Sequence, residues 1–180
     1  MAFVFKSTIG GVGRKLTKPL LCADSQTLTV GDVVKTDTTS GELIYGAAAL
    51  PSLGVIAAFV DADGMPIEQS KPVAGTASGV DTRTVETSTT GTTYALVDTS
   101  NQTVYSAECS GTIGTTVNSD VIGARADVDS ANTDYGRILE TTCTRTLSTP
   151  AGFYCWGADP EDSTRMLVTS ALSELDSVYE

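Results

Sequence analysis

The chain has 180 residues, a formal net charge of −11, no His and only 18% charged residues. This length suits one domain, or one domain with an extended segment, and it can bury a core without metal ions or disulfides. The acidic balance argues against direct nucleic-acid binding, which needs a basic surface. The lack of His excludes Ser-His-Asp and Cys-His catalysis, so we predict that the chain is not an enzyme.

Thr-rich sequence with short apolar runs is typical of β-structure, and helix signals are scarce. We therefore predict an all-β fold, a single β-sandwich or small barrel-like domain with an extended N-terminal arm. The predicted boundaries are residues 1–20 for a basic arm, 21–170 for the all-β domain and 171–180 for an acidic tail.

The predicted arm contrasts in charge with the rest of the chain, because four basic residues precede the first acidic residue, Asp24. The glycines of residues 9–13 indicate an extended segment rather than a packed element. A basic arm on an acidic body suggests docking on a negative partner, although a merely solvated tail is the alternative. The predicted contact residues are the aromatic and basic side chains of the arm, Phe3, Phe5, Lys6, Arg14, Lys15 and Lys18.

The start of the chain places a brief apolar patch before its first charge, the reverse of the order in a secretion signal. The sequence has no apolar run of the ~18 residues that a membrane-spanning helix needs. We therefore expect cytoplasmic synthesis and no membrane contact.

Short strands are predicted in chain order at residues 20–24, 28–35 and 43–45, with a break at Gly31-Asp32. They lead to the most apolar run of the chain, Leu53 to Val60, which suits a strand buried on both faces. Asp and Gly in residues 61–64 predict a turn, and residues 65–69 a return strand that accepts Pro66. This hairpin is the predicted centre of the core.

The second half of the chain begins with a polar stretch, residues 75–93, which we interpret as a long loop or edge region. Strands at 93–97 and 103–110 are predicted to form a second hairpin around residues 98–102. The remaining predicted strands are 124–128, 135–144, 152–157 and 166–170. The aromatic residues of these and earlier strands are interpreted as core or rim side chains: Tyr45, Tyr94, Tyr105 and Trp156.

Neither acidic motif of the chain has the spacing of an EF-hand, in which Gly comes sixth and Glu twelfth. We interpret Asp61-x-Asp63-Gly64 as the hairpin turn, and Asp127, Asp129 and Asp134 as part of a solvated loop. The Gly-rich basic run at residues 10–15 lacks the P-loop spacing and its preceding strand. No cofactor or metal site is predicted.

The four cysteines, Cys22, Cys109, Cys143 and Cys155, form no CxxC pair, and their gaps do not match zinc-site spacings. Cys155 lies between Tyr154 and Trp156 in an apolar strand, which suits a core position. We predict buried thiols, with one disulfide as the alternative.

The order of these motifs resembles that of small tailed-phage head proteins that accompany the major capsid protein as decoration or cement subunits. In the first hairpin, the resemblance lies in Gly-Val-x-x-x-aromatic-Val from Gly54, the acidic Gly turn and Lys71-Pro72-Val73-Ala74-Gly75. Later it lies in Tyr-Ala-Leu-Val-Asp, Val-Tyr-Ser-Ala-Glu-Cys-Ser-Gly, Gly-Phe-Tyr-Cys-Trp and Arg-Met-Leu-Val. It covers about residues 31–169 and is one of element order.

This resemblance implies a virion structural protein on the head surface, bound to the major capsid protein and to other copies of itself. On this interpretation, deleting residues 1–18 abolishes binding to shells and leaves the β-domain folded. The alternative is a tail-fibre or adhesin-like β module that binds host surface glycans, which would require an exposed cluster of aromatic and Asp or Asn side chains.

Overall fold

A computed structural model describes residues 3–11, 13–24, 27–46, 52–67, 82–84, 93–109, 122–128, 137–138 and 152–171. These residues form strands, turns and a single 3-10 turn at Ile9–Gly11. The strands are β1 (Val4–Thr8), β2 (Leu20–Leu21), β3 (Thr27–Thr29), β4 (Val33–Thr36), β5 (Leu43–Tyr45), β6 (Gly54–Val60), β7 (Thr82–Thr84), β8 (Tyr94–Asp98), β9 (Thr103–Cys109), β10 (Arg125–Ala126), β11 (Arg137–Ile138), β12 (Phe153–Asp159) and β13 (Asp162–Ser170). Within those ranges, no helix has the length and apolar character needed to span a membrane.

The strands form two large sheets and one small sheet. The six-stranded sheet has the order β1-β9-β13-β12-β10, with β11 also paired to β9. The five-stranded sheet has the order β2-β8-β6-β4-β5, and β3 pairs with β7. Every strand pair is antiparallel except β11 with β9. The predicted all-β class is confirmed.

Strand β6 is buried along both of its faces, as its unbroken apolar sequence predicts. Successive side chains of a strand point to opposite faces, so neighbours can enter different cores. Val55 belongs to one core cluster and Ile56 to the other. The strand therefore lies between the two cores and connects them.

The predicted hairpin turn after β6 is confirmed. The amide of Gly64 donates to the carbonyl of Asp61 at 3.0 Å, and Gly64 has a φ of 79°. The Asp61 carboxylate accepts the amides of Asp63 at 3.0 Å and Met65 at 2.9 Å. Pro66 then bridges back to Val60, while residues 68–69 of the predicted return strand lie outside the described residues.

Strands β6 and β8 approach each other so closely at Gly54 that no side chain fits there. A Cβ at this position would lie 2.1 Å from the carbonyl oxygen of Asp98. That oxygen belongs to backbone and cannot rotate away as a flexible side chain would. Glycine at position 54 is therefore a packing requirement of the five-stranded sheet.

The second predicted hairpin is wrong in its pairing, although both of its strands exist. Strand β8 pairs with β6 and β2, whereas β9 pairs with β1, β13 and β11. Between them the chain passes from one sheet to the other. The buried Asp98 carboxylate stabilises this crossing by accepting the Ser100 amide and the Thr103 hydroxyl, each at 3.0 Å. Sequence spacing alone gave a short connection and could not reveal that the two strands have different partners.

The first core cluster draws on both sheets. Val33 of β4 and Val55 of β6 come from the five-stranded sheet, and most other members come from the six-stranded sheet. The members are Phe3, Val33, Val55, Tyr105, Ala107, Cys109, Ala126, Val128, Ile138, Phe153, Cys155, Met166 and Val168. Each large apolar side chain buried here contributes roughly 1.5–3 kcal/mol.

The second core cluster lies within the five-stranded sheet and the segments beside it. Its members are Cys22, Leu28, Val34, Leu43, Leu53, Ile56, Phe59, Ala95 and Val97. Leu28 of β3 and Val34 of β4 lie on either side of the predicted break at Gly31-Asp32, which is confirmed.

Two further predictions are partly covered by the described residues. Cys22, Cys109 and Cys155 are buried, as predicted, and Cys143 lies outside the described residues. The stretch 75–93, interpreted as a loop or edge region, contains strand β7, which pairs with β3. The acidic tail lies beyond the described residues, apart from Ala171.

Candidate partner-binding surface

The predicted N-terminal arm is in part an edge strand of the domain itself. Strand β1 pairs antiparallel with β9, placing Val4 opposite Ser106 and Thr8 opposite Thr103. The register shifts between Phe5 and Ser7. This differs from the expected unpacked arm, because an extended segment satisfies its backbone groups best by pairing with an available sheet edge.

Phe3 is a core residue and not an exposed contact residue. Its side chain is only 4% exposed, and its ring centroid lies 4.9 Å from that of Phe153 and 6.1 Å from that of Tyr105. Its amide donates to the carbonyl of Gly31 at 3.1 Å. Phe3 therefore anchors β1 to the first core cluster, and its predicted role in partner contact has no exposed surface to act through.

Arg14 is partly buried and pairs with an acidic residue of the same chain. Its Nε donates to the fully buried carboxylate of Asp98 at 2.7 Å, and its guanidinium lies 4.8 Å from the centre of the Phe5 ring. Burial, followed by the negative charge of Asp98, raises the pKa of the neighbouring Tyr105 well above its ordinary value. The arrangement neutralises the charge of Asp98 at the point where the chain crosses between sheets.

Two of the other predicted contact residues, Lys15 and Lys18, are exposed. The carbonyl of Lys15 accepts the amide of Thr99 at 2.9 Å, which holds the backbone of this segment against the crossing. Phe5 remains 43% exposed despite its contact with Arg14. These three side chains are therefore accessible to a partner.

Lys6 faces a charged cleft of about 430 Å³ at one end of the six-stranded sheet. The side chains around it are Val4, Lys6, Ser106, Glu108, Asp159, Glu161, Asp162 and Arg165. Lys6 Nζ lies 2.6 Å from the Glu161 carboxylate and 3.0 Å from that of Asp159. The hydrogen bonds that Lys6 donates to Glu161 and then to Asp159 raise the pKa of Lys6.

Asp159 is the buried acid at the base of the charged cleft. Burial alone would raise its pKa, but hydrogen bonds from the Ser106 hydroxyl, the Glu161 amide and Lys6 together lower it. The Ser106 hydroxyl also accepts from Nε of Arg165 at 2.9 Å. The cleft thus contains a connected set of charged side chains in which acids outnumber bases.

A second exposed feature, the Trp156 groove, lies on strand β12. Phe153 and Cys155 point into the first core cluster, so Tyr154 and Trp156 project from the opposite face of the sheet. Trp156 is 51% exposed, and its indole N–H donates to the Thr169 hydroxyl at 3.0 Å. The groove has a volume of about 240 Å³ and is bounded by Gly123, Tyr154, Cys155 and Trp156.

Arg125 completes the aromatic surface beside this groove. Its guanidinium lies 4.9 Å from the centre of the Tyr154 ring, and Nη2 donates to the Tyr154 hydroxyl at 2.7 Å. Ile122, 53% exposed, lies just before it in the chain. We call the surface that carries the charged cleft and the Trp156 groove the outer face of the six-stranded sheet.

The outer face was not predicted from the sequence, because the run GFYCWG was interpreted through its Cys as a core strand. The period-two alternation of its side chains is the signal that would have found it. The buried Phe153 and Cys155 alternate with Tyr154 and Trp156, so the two aromatic side chains that carry a polar group lie on the outside of the sheet.

Within the described ranges, no three Cys, Asp or Glu side chains are arranged to hold a metal ion. Asp127 is buried, and its predicted loop companions Asp129 and Asp134 lie outside those ranges. Comparison of the chain with family models, with curated proteins and with solved structures finds no match.

Proposed function

We propose that this chain is a decoration or cement subunit that binds the major capsid lattice of a tailed-phage head. The observation that carries the proposal is the outer face of the six-stranded sheet, where a fixed, half-exposed Trp156 lies beside Tyr154 and Arg125. Trp, Tyr and Arg are the residues that contribute most binding energy at protein interfaces. The sequence resemblance supplies the class of partner.

The charged cleft gives this surface a polar region next to its aromatic one. Its mixed charges, with Lys6 and Arg165 among a majority of acids, suit a partner that offers basic side chains. Such rim contacts steer association and select the partner more than they add affinity. The Trp156 groove would supply most of the binding energy.

Stabilisation of the shell follows from mass action. A subunit that binds assembled capsid proteins and not the separated ones favours the assembled state. On a lattice, many identical weak contacts add through multivalency, so a single subunit needs no high affinity of its own. Neighbouring copies of the chain would then be held near one another at fixed spacing.

We further propose that the two sheets form a β-sandwich, with the first core cluster between them. The support is the membership of Val33 and Val55 in a cluster otherwise built mainly by the six-stranded sheet. In such an arrangement the outer face of the six-stranded sheet is directed away from the core and toward a partner.

Co-sedimentation with empty expanded phage shells tests the capsid proposal. Deletion of residues 1–18 is a poor probe, because it removes the core residue Phe3 and the Arg14 partner of Asp98. Trp156→Ala removes an exposed ring instead. We expect it to lower shell affinity at least ~30-fold, the effect of losing a hot spot of ~2 kcal/mol.

The matched control is Met65→Ala, which removes a 63% exposed apolar side chain at the tip of the hairpin after β6. We expect unchanged shell binding, because Met65 belongs to a different sheet region from the outer face. Equal losses in both variants, or no binding by the unaltered chain, would contradict the proposal.

A second candidate function, a tail-fibre or adhesin-like module that binds glycans, is favoured by the same exposed Trp156. A fixed indole ring can stack on the apolar face of a sugar, and Arg125 lies near enough to offer polar contacts. Saturable glycan binding that is lost in Trp156→Ala, together with no sedimentation on shells, would establish this function instead.

A further inference from the structure

Strand β1 lies at an edge of the six-stranded sheet. It pairs with β9 alone, and no described strand covers its outer edge. Four of its five residues are exposed. Its hold on the core depends on one side chain, that of Phe3, which lies just before it.

The connection after β1 has the properties of a hinge. Gly10 and Gly11 both have a φ of 71°, and neither would place a Cβ within 4 Å of another group. Ile9 beside them is 44% exposed. The Ile9 amide donates to the carbonyl of Gln102 at 2.8 Å, so the unconstrained positions are Gly10 and Gly11, whose dihedral angles can change at little cost.

The segment after the hinge is fixed to the five-stranded sheet. Arg14 pairs with Asp98, Leu16 bridges to Asp98, and the Thr17 amide donates to the carbonyl of Val97 at 2.9 Å. Residues 10–13 thus link two anchored parts of the chain. Fully extended, these four residues span at most roughly 14 Å, so exchange requires two copies that lie side by side.

We propose that β1 exchanges between copies of this chain, so that β1 and Phe3 of one copy dock on β9 of another. Each copy would then fill its neighbour's Phe3 site, between Tyr105 and Phe153. Exchange keeps every contact of the closed form, because the two docking sites are identical. Only the hinge changes its conformation. This inference concerns the chain alone and does not depend on binding to a capsid.

The ion pairs of β1 form again in the exchanged dimer. Lys6 pairs with the exposed Glu161 at 2.6 Å and with the buried Asp159 at 3.0 Å, and after exchange the Lys6 of the neighbouring copy takes the same place beside both acids. The Phe3 site selects the segment that can replace β1. This segment must place an aromatic ring beside Phe153 and pair as a strand with β9. A second copy of the chain supplies both features in the correct spacing.

Mixed cross-linking of single-cysteine variants tests the exchange. One population carries Ser7→Cys and one isotopic label, and a second population carries Val104→Cys and a different label, since these two residues face each other in the β1–β9 register. The populations are mixed at high concentration, incubated and mildly oxidised. We expect a covalent species of twice the 18.6 kDa chain mass that contains both labels.

The control mixture pairs Ser7→Cys with Thr39→Cys, which lies in an exposed turn away from β9. It measures the background from random collisions and from the native cysteines. We expect the two-label species to exceed this background at least tenfold. Deleting Gly10 and Gly11 should raise it further, since a shortened hinge disfavours the closed form.

A chain that carries both Ser7→Cys and Val104→Cys shows whether this site can cross-link at all. If it does not, the pair Val4→Cys and Ser106→Cys, also in register, replaces it. Intramolecular cross-linking in the double variant, with a two-label yield no higher than that of the control mixture, would overturn the proposal. Shell binding plays no part in this outcome, so it is independent of the capsid experiment.

Discussion

At the scale of single residues, two basic side chains of the predicted arm form ion pairs within the domain. Arg14 and Lys6, which the sequence presents as part of a basic arm, pair with Asp98 and Asp159 of the same chain. Both acids are buried, so an unpaired carboxylate at either place would cost several kcal/mol. The net negative charge of the sequence therefore does not show that these two buried acids are paired with basic residues in the folded protein.

Asp159 gives a pH-dependent contribution to stability whose sign follows from its lowered pKa. The contribution is present above the unfolded pKa of about 4 and is lost as the pH falls through the folded value. We expect the urea midpoint of the protein to fall on acidification below about pH 4. Asp159→Asn should show a smaller acid loss in the same titration.

The urea midpoint at alkaline pH distinguishes Asp159 from an ordinary surface acid. Because the pKa of Lys6 is raised in the folded protein, protonated Lys6 stabilises the fold below its unfolded pKa of about 10.4. This stabilisation is lost as the pH rises through the pKa that Lys6 has in the folded protein. Asp159→Asn removes one partner of Lys6 and should weaken this alkaline loss. Asp37→Asn, in an exposed turn, should alter the acid limb only. Identical alkaline limbs in the protein and Asp159→Asn would contradict the Lys6 pairing.

At the scale of elements, local pattern predicted the strands well and their partners poorly. The apolar run of β6, the break between β3 and β4 and the Asp61 turn are all determined by neighbouring residues, and all are confirmed. The pairing of β8 and β9 depends on strands far away in the sequence, β13 and β6 among them, so a short connection gave the wrong hairpin. On the outer face, period-two alternation along β12 marks Tyr154 and Trp156 locally, whereas the charged cleft combines residues of β1, β9 and β13 that no local pattern connects.

The docking of β1 predicts unequal roles for the two phenylalanines of the predicted arm. Phe3→Ala should lower the free energy of unfolding by about 3–5 kcal/mol, because it empties a site in the first core cluster. Phe5→Ala should cost about 1 kcal/mol or less, mainly through its contact with Arg14. Urea denaturation followed by circular dichroism measures both values. Equal small losses would show that β1 is not docked in solution.

At the scale of the whole molecule, β6 makes the two core clusters a single cooperative unit. Val55 and Ile56 are adjacent in the chain and belong to different clusters, so neither core can disperse without disturbing this strand. The crossing from β8 to β9 adds a second covalent and hydrogen-bonded link between the sheets. Small domains of this kind usually unfold in one transition.

This cooperativity predicts that a destabilising substitution in one core cluster also shifts the unfolding transition measured in the other sheet. Val97→Ala, in the second core cluster, should lower stability by about 2 kcal/mol. The fluorescence transition of Trp156, on the six-stranded sheet, should shift to lower urea by the same amount as the circular dichroism transition. Thr39→Ala, in an exposed turn, should shift neither. A Trp156 transition that stays in place would mean that the sheets unfold separately.

The pairing of β1 with β9 also sets an order of events during synthesis on the ribosome. Val4 pairs with Ser106, so β1 has no partner until about a hundred further residues have been made. At roughly 5–20 residues per second, this delay is about 5–20 seconds. Throughout that interval Phe3 lacks its site beside Phe153. On a polysome, the first β9 available to a nascent β1 can therefore belong to the chain ahead of it.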